Sequence, residues 1–461
     1  MSYPESLAGR CTRAYPVYEQ ATKRLFFLKD SWRAESLNPE SQIIELLNEC
    51  KVPHVPRFVC GGDLPDSTTI TDIYVPLPPA QAASRPSELS STSTPAFAER
   101  LRLIRQFQSP PPPPRRTADW KCGQSWPRIT RRFHHRMVTE DIGEPLSASP
   151  RSFIMTKAVS QAFTGHHLAW EKCEVIHRDV SGQNVLIVGD GGILNDWDLA
   201  KFKWQLMDGR HHERTGTWQF MSSHLLLNKR KVHTIQDDME SFFYVMLYHC
   251  IRYLSHNMTD QAEEILNHIF DYSFHLTGST LGGSHKEYLI SQLGSRPPFE
   301  GFELSNNEPL NIWIEKAFEI FNEWLKNVDP PELKRLGRSE PQNLSELRLF
   351  DHQYMSQLFT TALSKVEEWP KDDKAVDHLP KKPHRVSSVT GISVGSGTRS
   401  TGSSGSGSKK RALSLDKDNK EGEEAGELSS TKRSKNRKTV GVSKTYKGSR
   451  SYHSSLTGEE A

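Results

Sequence analysis

The sequence predicts an α+β fold of two lobes. A small β-rich lobe spans residues 1–147, a larger helical lobe spans 148–370, and a basic, Ser/Gly-rich disordered tail covers 371–461. Three observations carry this expectation. Short β-type runs separated by turn residues fill the first part of the chain. Apolar spacing of helical period dominates from Ser152 to Glu368. Between these, Val175 to Lys201 reads as a strand, a tight turn and a second strand with polar residues at the ends.

In the N-terminal part, Thr12–Val17 and Leu25–Leu28 read as strands around a polar turn at Glu19–Lys23, and Lys29 closes the second strand. Pro39 and Glu40 open a helix whose apolar residues Ile43, Ile44 and Leu47 lie on one face. A lysine on a strand and a glutamate early on the next helix suit an ion pair; Glu45 is a rival partner with poorer apolar spacing after it. Residues 65–127 are rich in Pro, Ser, Thr and Ala and end in Pro110–Pro114 followed by Arg115 and Arg116. Such composition buries no core, so the stretch reads as an insertion in the small lobe. Its proline run suits a spacer, or docking on a proline-binding domain.

Order returns with the alternating run Phe133–Thr139, followed by a turn over Glu140–Leu146. Ser152–Glu171 then reads as a helix. Its His166 and His167 read as packing or surface histidines rather than ligands. Val185–Val188 and Ile193–Leu194 form the hairpin, with Gly189–Gly192 as its turn. The hairpin brings together Asp179 and Asn184, before its first strand, and Asp196, after its second. Asp237 and Asp238 open a segment that is apolar nearly all round from Phe242, the mark of a buried helix. Asp238 can cap it and hold the backbone of the preceding loop. Further helices follow at Gln261–Phe270, Leu310–Lys326 and Asp351–Glu368.

The formal net charge is +3, but residues 371–461 carry 19 Lys and Arg against 11 Asp and Glu. The clusters Lys409–Arg411 and Lys432–Lys438 resemble a long-spaced bipartite nuclear address, or a solvated tail without one. Without interleaved aromatics they imply nonspecific nucleic-acid contact at most. No run approaches the ~18 apolar residues of a membrane span, and the first residues lack the apolar core of a secretory signal. The six cysteines Cys11, Cys50, Cys60, Cys122, Cys173 and Cys250 form no paired spacing. An intracellular setting, nuclear or cytoplasmic, with no membrane partner is the expectation.

His177-Arg178-Asp179 followed by Asn184 matches the protein-kinase catalytic loop H-R-D-x-x-x-x-N, and Asp196-Trp197-Asp198 stands where D-F-G follows. With Lys29–Trp32, Met137–Leu146, Gly216–Ser222 and Asp237–Ser241, the chain resembles the fungal-type protein kinase family over residues 9 to about 370. The resemblance implies a bilobal protein-kinase-like fold using ATP and Mg²⁺. It implies Lys29 on the phosphates with Glu40 as partner, Asp179 as base, and Asn184 and Asp196 on metal. Gly9 falls in the window of the glycine-rich loop, which is otherwise missing, so an abbreviated small lobe or an incomplete gene model is expected. By position, Glu140 and Ile142 would offer backbone groups to adenine. Thr217 would bridge to Asp179 at the substrate-docking end, and Arg178 would pair with a phosphate on Thr215 or Thr217.

Three departures stand out: Ser181 where Ser/Thr kinases place a lysine, Asp198 for the flexible glycine, and His224 where a structural glutamate usually closes the segment. The leading expectation is an ATP-dependent kinase acting on Ser/Thr of an unknown protein substrate. The alternatives are a pseudokinase or scaffold with weak or no turnover, and a small-molecule phosphotransferase. Arg178 and Thr217 weigh against the last.

Overall fold

The computed structural model describes residues 11–69, 131–206, 214–276, 279–328 and 344–380. Gly9, Pro110–Pro114 and both basic clusters of the tail lie outside the described residues. Four antiparallel strands build the N-terminal sheet: β1 (Arg13–Glu19), β2 (Arg24–Ala34), β3 (Phe58–Thr68) and β4 (Arg132–Thr139), in the order β1-β2-β4-β3. The turn after β1 fixes the register of the first pair, with Glu19 opposite Arg24 and Ala14 opposite Lys29. β2 is longer than the Leu25–Leu28 run suggests, because β4 pairs with it from Phe27 through Ala34. Lys29 therefore sits mid-strand opposite Met137, not at the strand's end. Paired on both sides, it points in one direction only.

β3 has no counterpart in the sequence reading. Gly61, Gly62 and Pro65 disfavour a strand, but β3 lies at the sheet edge, where proline is tolerated. Gly61 is required there, since a Cβ would lie 2.8 Å from Ser41 Cβ and 2.9 Å from the Arg136 carbonyl. The strand runs to Thr68, so the sheet continues past residue 65, where the sequence places the start of an insertion. Helix α1 (Glu40–Glu49) packs on β3 and β4 through Ile43, Ile44, Leu46 and Leu47, all fully buried.

The rest of the described chain is mainly helical. β5 (Glu144–Pro145) leads into α2 (Ser152–Cys173), the long helix expected there. Next come β6 (Val175–Ile176), the hairpin β7 (Val185–Val188) and β8 (Gly191–Leu194), β9 (Lys201–Phe202) and the short α3 (Lys203–Leu206). After these stand α4 (Ser223–Leu227), α5 (Ile235–Tyr253), α6 (Ala262–Leu266) and the hairpin β10 (Ser273–Leu276) and β11 (Ser279–Gly282). Helices α7 (Ser284–Ser291), α8 (Glu308–Val328) and α9 (Gln353–Ser364) complete the set. β5, β7 and β8 form one small sheet, and β6 pairs with β9.

Helix α5 is the centre of this part. Thr234 and Asp237 close its N-terminus as a capping box. Phe242 to Leu247 are buried without interruption. Phe243 packs its ring 5.0 Å from both Phe318 and Phe321 of α8. Two of the three hairpin glycines, Gly191 and Gly192, belong to β8 rather than to the turn. Gly192 lets β8 lie directly on α2: a Cβ there would meet the Cα and carbonyl of Ala158 at 2.4 Å.

The chain stays attached beyond Glu368. Asp373 accepts a hydrogen bond from the Ser152 amide (3.1 Å), and Val376 and His378 donate to the carbonyls of Tyr253 (2.9 Å) and Arg252 (2.9 Å). These residues strap the start of α2 to the end of α5, so ordered chain extends past the expected boundary at 370. The division into compact units falls between His384 and Arg385. Among the described residues no helix is long and apolar enough to cross a membrane.

Gly192→Ala forces backbone apart at the β8–α2 contact. A loss of about 1–3 kcal/mol is expected, read as a lower denaturation midpoint at unchanged slope.

Candidate active site

The site forms where β2, α1 and the loops around the β7–β8 hairpin meet. β2 delivers Lys29, a residue only 5 % exposed. Its Nζ lies 2.6 Å from Glu40 Oε2, 2.6 Å from Asp196 Oδ1 and 3.2 Å from Asp198 Oδ2. Glu40 begins α1, so one turn of helix places it under the strand; Glu45, its rival, is not among these partners of Lys29. Its second oxygen accepts from the Trp197 amide at 3.0 Å, tying α1 to the segment that carries both aspartates. Burial alone depresses the Lys29 ammonium, but Asp196, Glu40 and Asp198 outweigh it and hold the lysine well above its ordinary value. Burial, reinforced by the like charge of Asp198, pushes the Glu40 carboxyl well up despite its pairing with Lys29.

Glu40, Asp196 and Asp198 each bring a carboxylate oxygen to within 4.8 Å of the others. The set holds two buried carboxyls, Glu40 and Asp198, and the partly exposed Asp196 around one ammonium. Such an oxygen-only donor set fits a hard divalent cation.

On the facing loop, His177 is fully buried. It accepts the Asp179 amide on Nδ1 (3.2 Å) and donates from Nε2 to the Asn195 carbonyl (3.0 Å). Burial depresses its pKa, which suits this neutral tautomer. The ring thus links the Asp179 turn to the residue before Asp196. Asn184 closes the same loop: its Nδ2 donates to the Asp179 carbonyl (2.8 Å), and its own carbonyl accepts from the Asn195 amide (2.7 Å). Arg178 and Asp196 adopt positive φ, +71° and +62°, at a cost of about 1–3 kcal/mol each.

Asp238 holds the first of these strained residues. Its carboxylate accepts from the Arg178 amide (3.0 Å), His166 Nε2 (2.9 Å) and His233 Nε2 (2.7 Å). These partners overcome its burial and keep the acid well below the usual carboxylate range. His166 therefore packs in the core as a hydrogen-bonded support. His167, half-buried, stacks on His352 at 4.6 Å.

Residues 1–250 match the family described as fungal protein kinase. The chain belongs to the fungal protein kinase family. No curated protein matches it. Membership carries kinase activity at the level of the family and, in general terms, the use of ATP and a metal.

In this fungal-type kinase Thr217 touches Asp179 directly. Asp179 Oδ1 accepts from both the amide and the hydroxyl of Thr217, each at 2.8 Å. Arg178 is buried and donates from Nη1 to the Leu199 carbonyl (3.2 Å). At the end of β4, Glu140 donates its amide to the Arg57 carbonyl (2.9 Å) and pairs its side chain with Arg57 (3.0 Å) and Arg24 (3.2 Å). Any part Glu140 plays in holding a base therefore falls to its carbonyl. Ile142 is exposed beside it.

Sequence reasoning missed Asp198 as a partner of Lys29, although the Asp-x-Asp spacing was visible. Gly182, inside the loop, is packed by His249, whose Cε1 would lie 2.3 Å from a Cβ. Burial pulls the His249 ring down to about 4. An unfolded histidine takes up its proton near pH 6.5, whereas the folded ring stays neutral until about pH 4. Stability contributed by His249 is thus complete above pH 6.5 and is lost as pH falls toward 4, by roughly 3 kcal/mol. The difference in unfolding free energy between wild type and His249→Gln, measured from pH 7 to 4, is expected to shrink accordingly.

Proposed function

We propose that the protein is an ATP-dependent protein kinase with two lobes, transferring the γ-phosphate of ATP to Ser or Thr hydroxyls of a protein substrate. One observation carries the reading: Lys29 is paired with Glu40, the ion pair that phosphoryl transfer in protein kinases requires, with Asp196 beside it. Lys29 is the group to bind the α- and β-phosphates, freed by them from part of its carboxylate shell. The carbonyl of Glu140 and the backbone at Ile142 are the groups to hold adenine.

Asp196 and Asn184, with Asp198 beside them, would hold Mg²⁺, which would supply charge neutralisation on the phosphates. Asp179 orients the incoming hydroxyl and accepts its proton as the oxygen–phosphorus bond forms and the bond to the ADP oxygen breaks. Thr217, whose hydroxyl already rests on Asp179, is well placed to align a substrate hydroxyl there. His177 and Asn184 keep the Asp179 backbone from moving during transfer.

A second reading, a scaffold with little turnover, draws on one feature. Three carboxylates surround Lys29, and Asp198 occupies a position where kinases have glycine. Nucleotide must displace part of this shell to bind.

Asp179→Asn is expected to lower transfer of labelled γ-phosphate by ~10²–10⁴-fold while Mg·ATP still raises the melting temperature. Saturating nucleotide at 100 times its dissociation constant adds about 2.7 kcal/mol to stability. Wild type that transfers nothing removes the kinase reading, and absence of the Mg·ATP stabilisation as well favours the scaffold.

A further inference from the structure

His224 stands where a glutamate would normally anchor the segment after Thr217, so another group must hold that segment in place. The fully buried Lys286 of α7 faces it. Its Nζ donates to the carbonyls of Gln219 (2.7 Å) and Met221 (2.7 Å) and lies 4.2 Å from the centre of the Tyr244 ring. From the other side, Glu240 of α5 accepts the Ser223 amide (2.7 Å) and the Tyr244 hydroxyl (2.7 Å) on the same oxygen. Gly283, at the start of α7, permits this approach: a Cβ there would lie 2.4 Å from the Ser223 carbonyl.

The pinned carbonyls sit in a tight turn. The amides of Phe220 (2.9 Å) and Met221 (3.1 Å) both donate to the Thr217 carbonyl, and Thr217 in turn donates twice to Asp179. An unbroken path of short contacts therefore runs from Lys286 through residues 217–221 to the Asp179 carboxylate.

We propose that Lys286 is a positioning residue for phosphoryl transfer, a buried ammonium that replaces the usual glutamate-based anchor by gripping backbone carbonyls and so sets Thr217 against Asp179. The inference rests on the kinase reading above. Charge-assisted bonds to carbonyls are stronger than neutral ones, and the Tyr244 face adds cation–π attraction. The charge is kept at a cost: burial pulls the lysine down to about 7, against the opposing carboxylates of Glu240 and Asp271. Removing the ammonium would leave the Gln219 and Met221 carbonyls without this donor, so the lysine and the place of the segment are tied together.

The test compares full-length wild type, Lys286→Met, Lys286→Gln and Lys286→Arg. Hydrogen exchange is followed for amides 217–223, with α2 as an internal reference. Lys286→Met is expected to speed exchange in 217–223 at least tenfold while α2 is unchanged. It should also lower kcat/KM for a protein substrate 10- to 100-fold and leave the thermal shift by Mg·ATP intact. Lys286→Arg, which keeps charge and donors, should recover much of both. If Lys286→Met does not fold, Lys286→Gln carries the same comparison.

Wild-type protection and wild-type kcat/KM in the methionine or glutamine variant would overturn the assignment. So would a wild-type 217–223 segment that exchanges like free peptide. If wild type transfers no phosphate, the kinase reading falls, while the exchange measurements still decide whether Lys286 holds the segment.

Discussion

The contact on which the rest depends is the buried ammonium of Lys29 among Glu40, Asp196 and Asp198. It joins three parts of the chain remote in sequence: a mid-strand position of the N-terminal sheet, the first turn of α1, and the segment after β8. An ammonium alone in that place would be expelled by its desolvation, and three carboxylates alone would repel one another. Each side tolerates burial only because the other is present. The backbone bond from Trp197 to Glu40 makes the arrangement directional, since the carboxylate can reach both partners only when α1 is turned inward.

Behind this cluster lies a second buried polar system with a different task. The loop carrying Asp179 and the segment after β8 each hold a non-glycine residue in a left-handed conformation, Arg178 and Asp196, and isolated peptides would relax out of both. Asp238 grips the Arg178 amide, and His166 and His233 in turn fix Asp238. His177 bridges the two strained turns through Asp179 and Asn195. In a low-dielectric interior such hydrogen bonds are strong, and leaving any one unmade is costly. Strain at the loop is thus sustained by a network anchored on α2 and α5.

The same economy of means recurs in the segment after Thr217. There the chain is held by a lysine on carbonyls and a glutamate on an amide, both rising from the helical core. The core supplies charges at fixed points, and the irregular segments are shaped by bonding their backbone to those charges. This explains why the loop from His177 to Ser181 is as buried as the helices beneath it.

Much of this was legible in the chain. The spacing from His177 to Asn184 and on to Asp196 reflects a hairpin of set length, so local geometry alone brings the backbone of Asn195 onto that of Asn184. Period and burial likewise marked α1, α2 and α5, because an apolar face leaves its mark at 3.6-residue intervals. β3 was hidden because its Gly61, Gly62 and Pro65 answer to an edge position and to the closeness of α1, neither of which is a local property. The place of Lys29 within β2 depended on how far β4 would pair. Asp198 and Lys286 were ordinary charged residues until the fold enclosed them. Residue type and spacing determined the chemical groups available and their local order; the tertiary structure decided which of them lose water together. That loss turns a charge on the surface into one that binds, strains or positions.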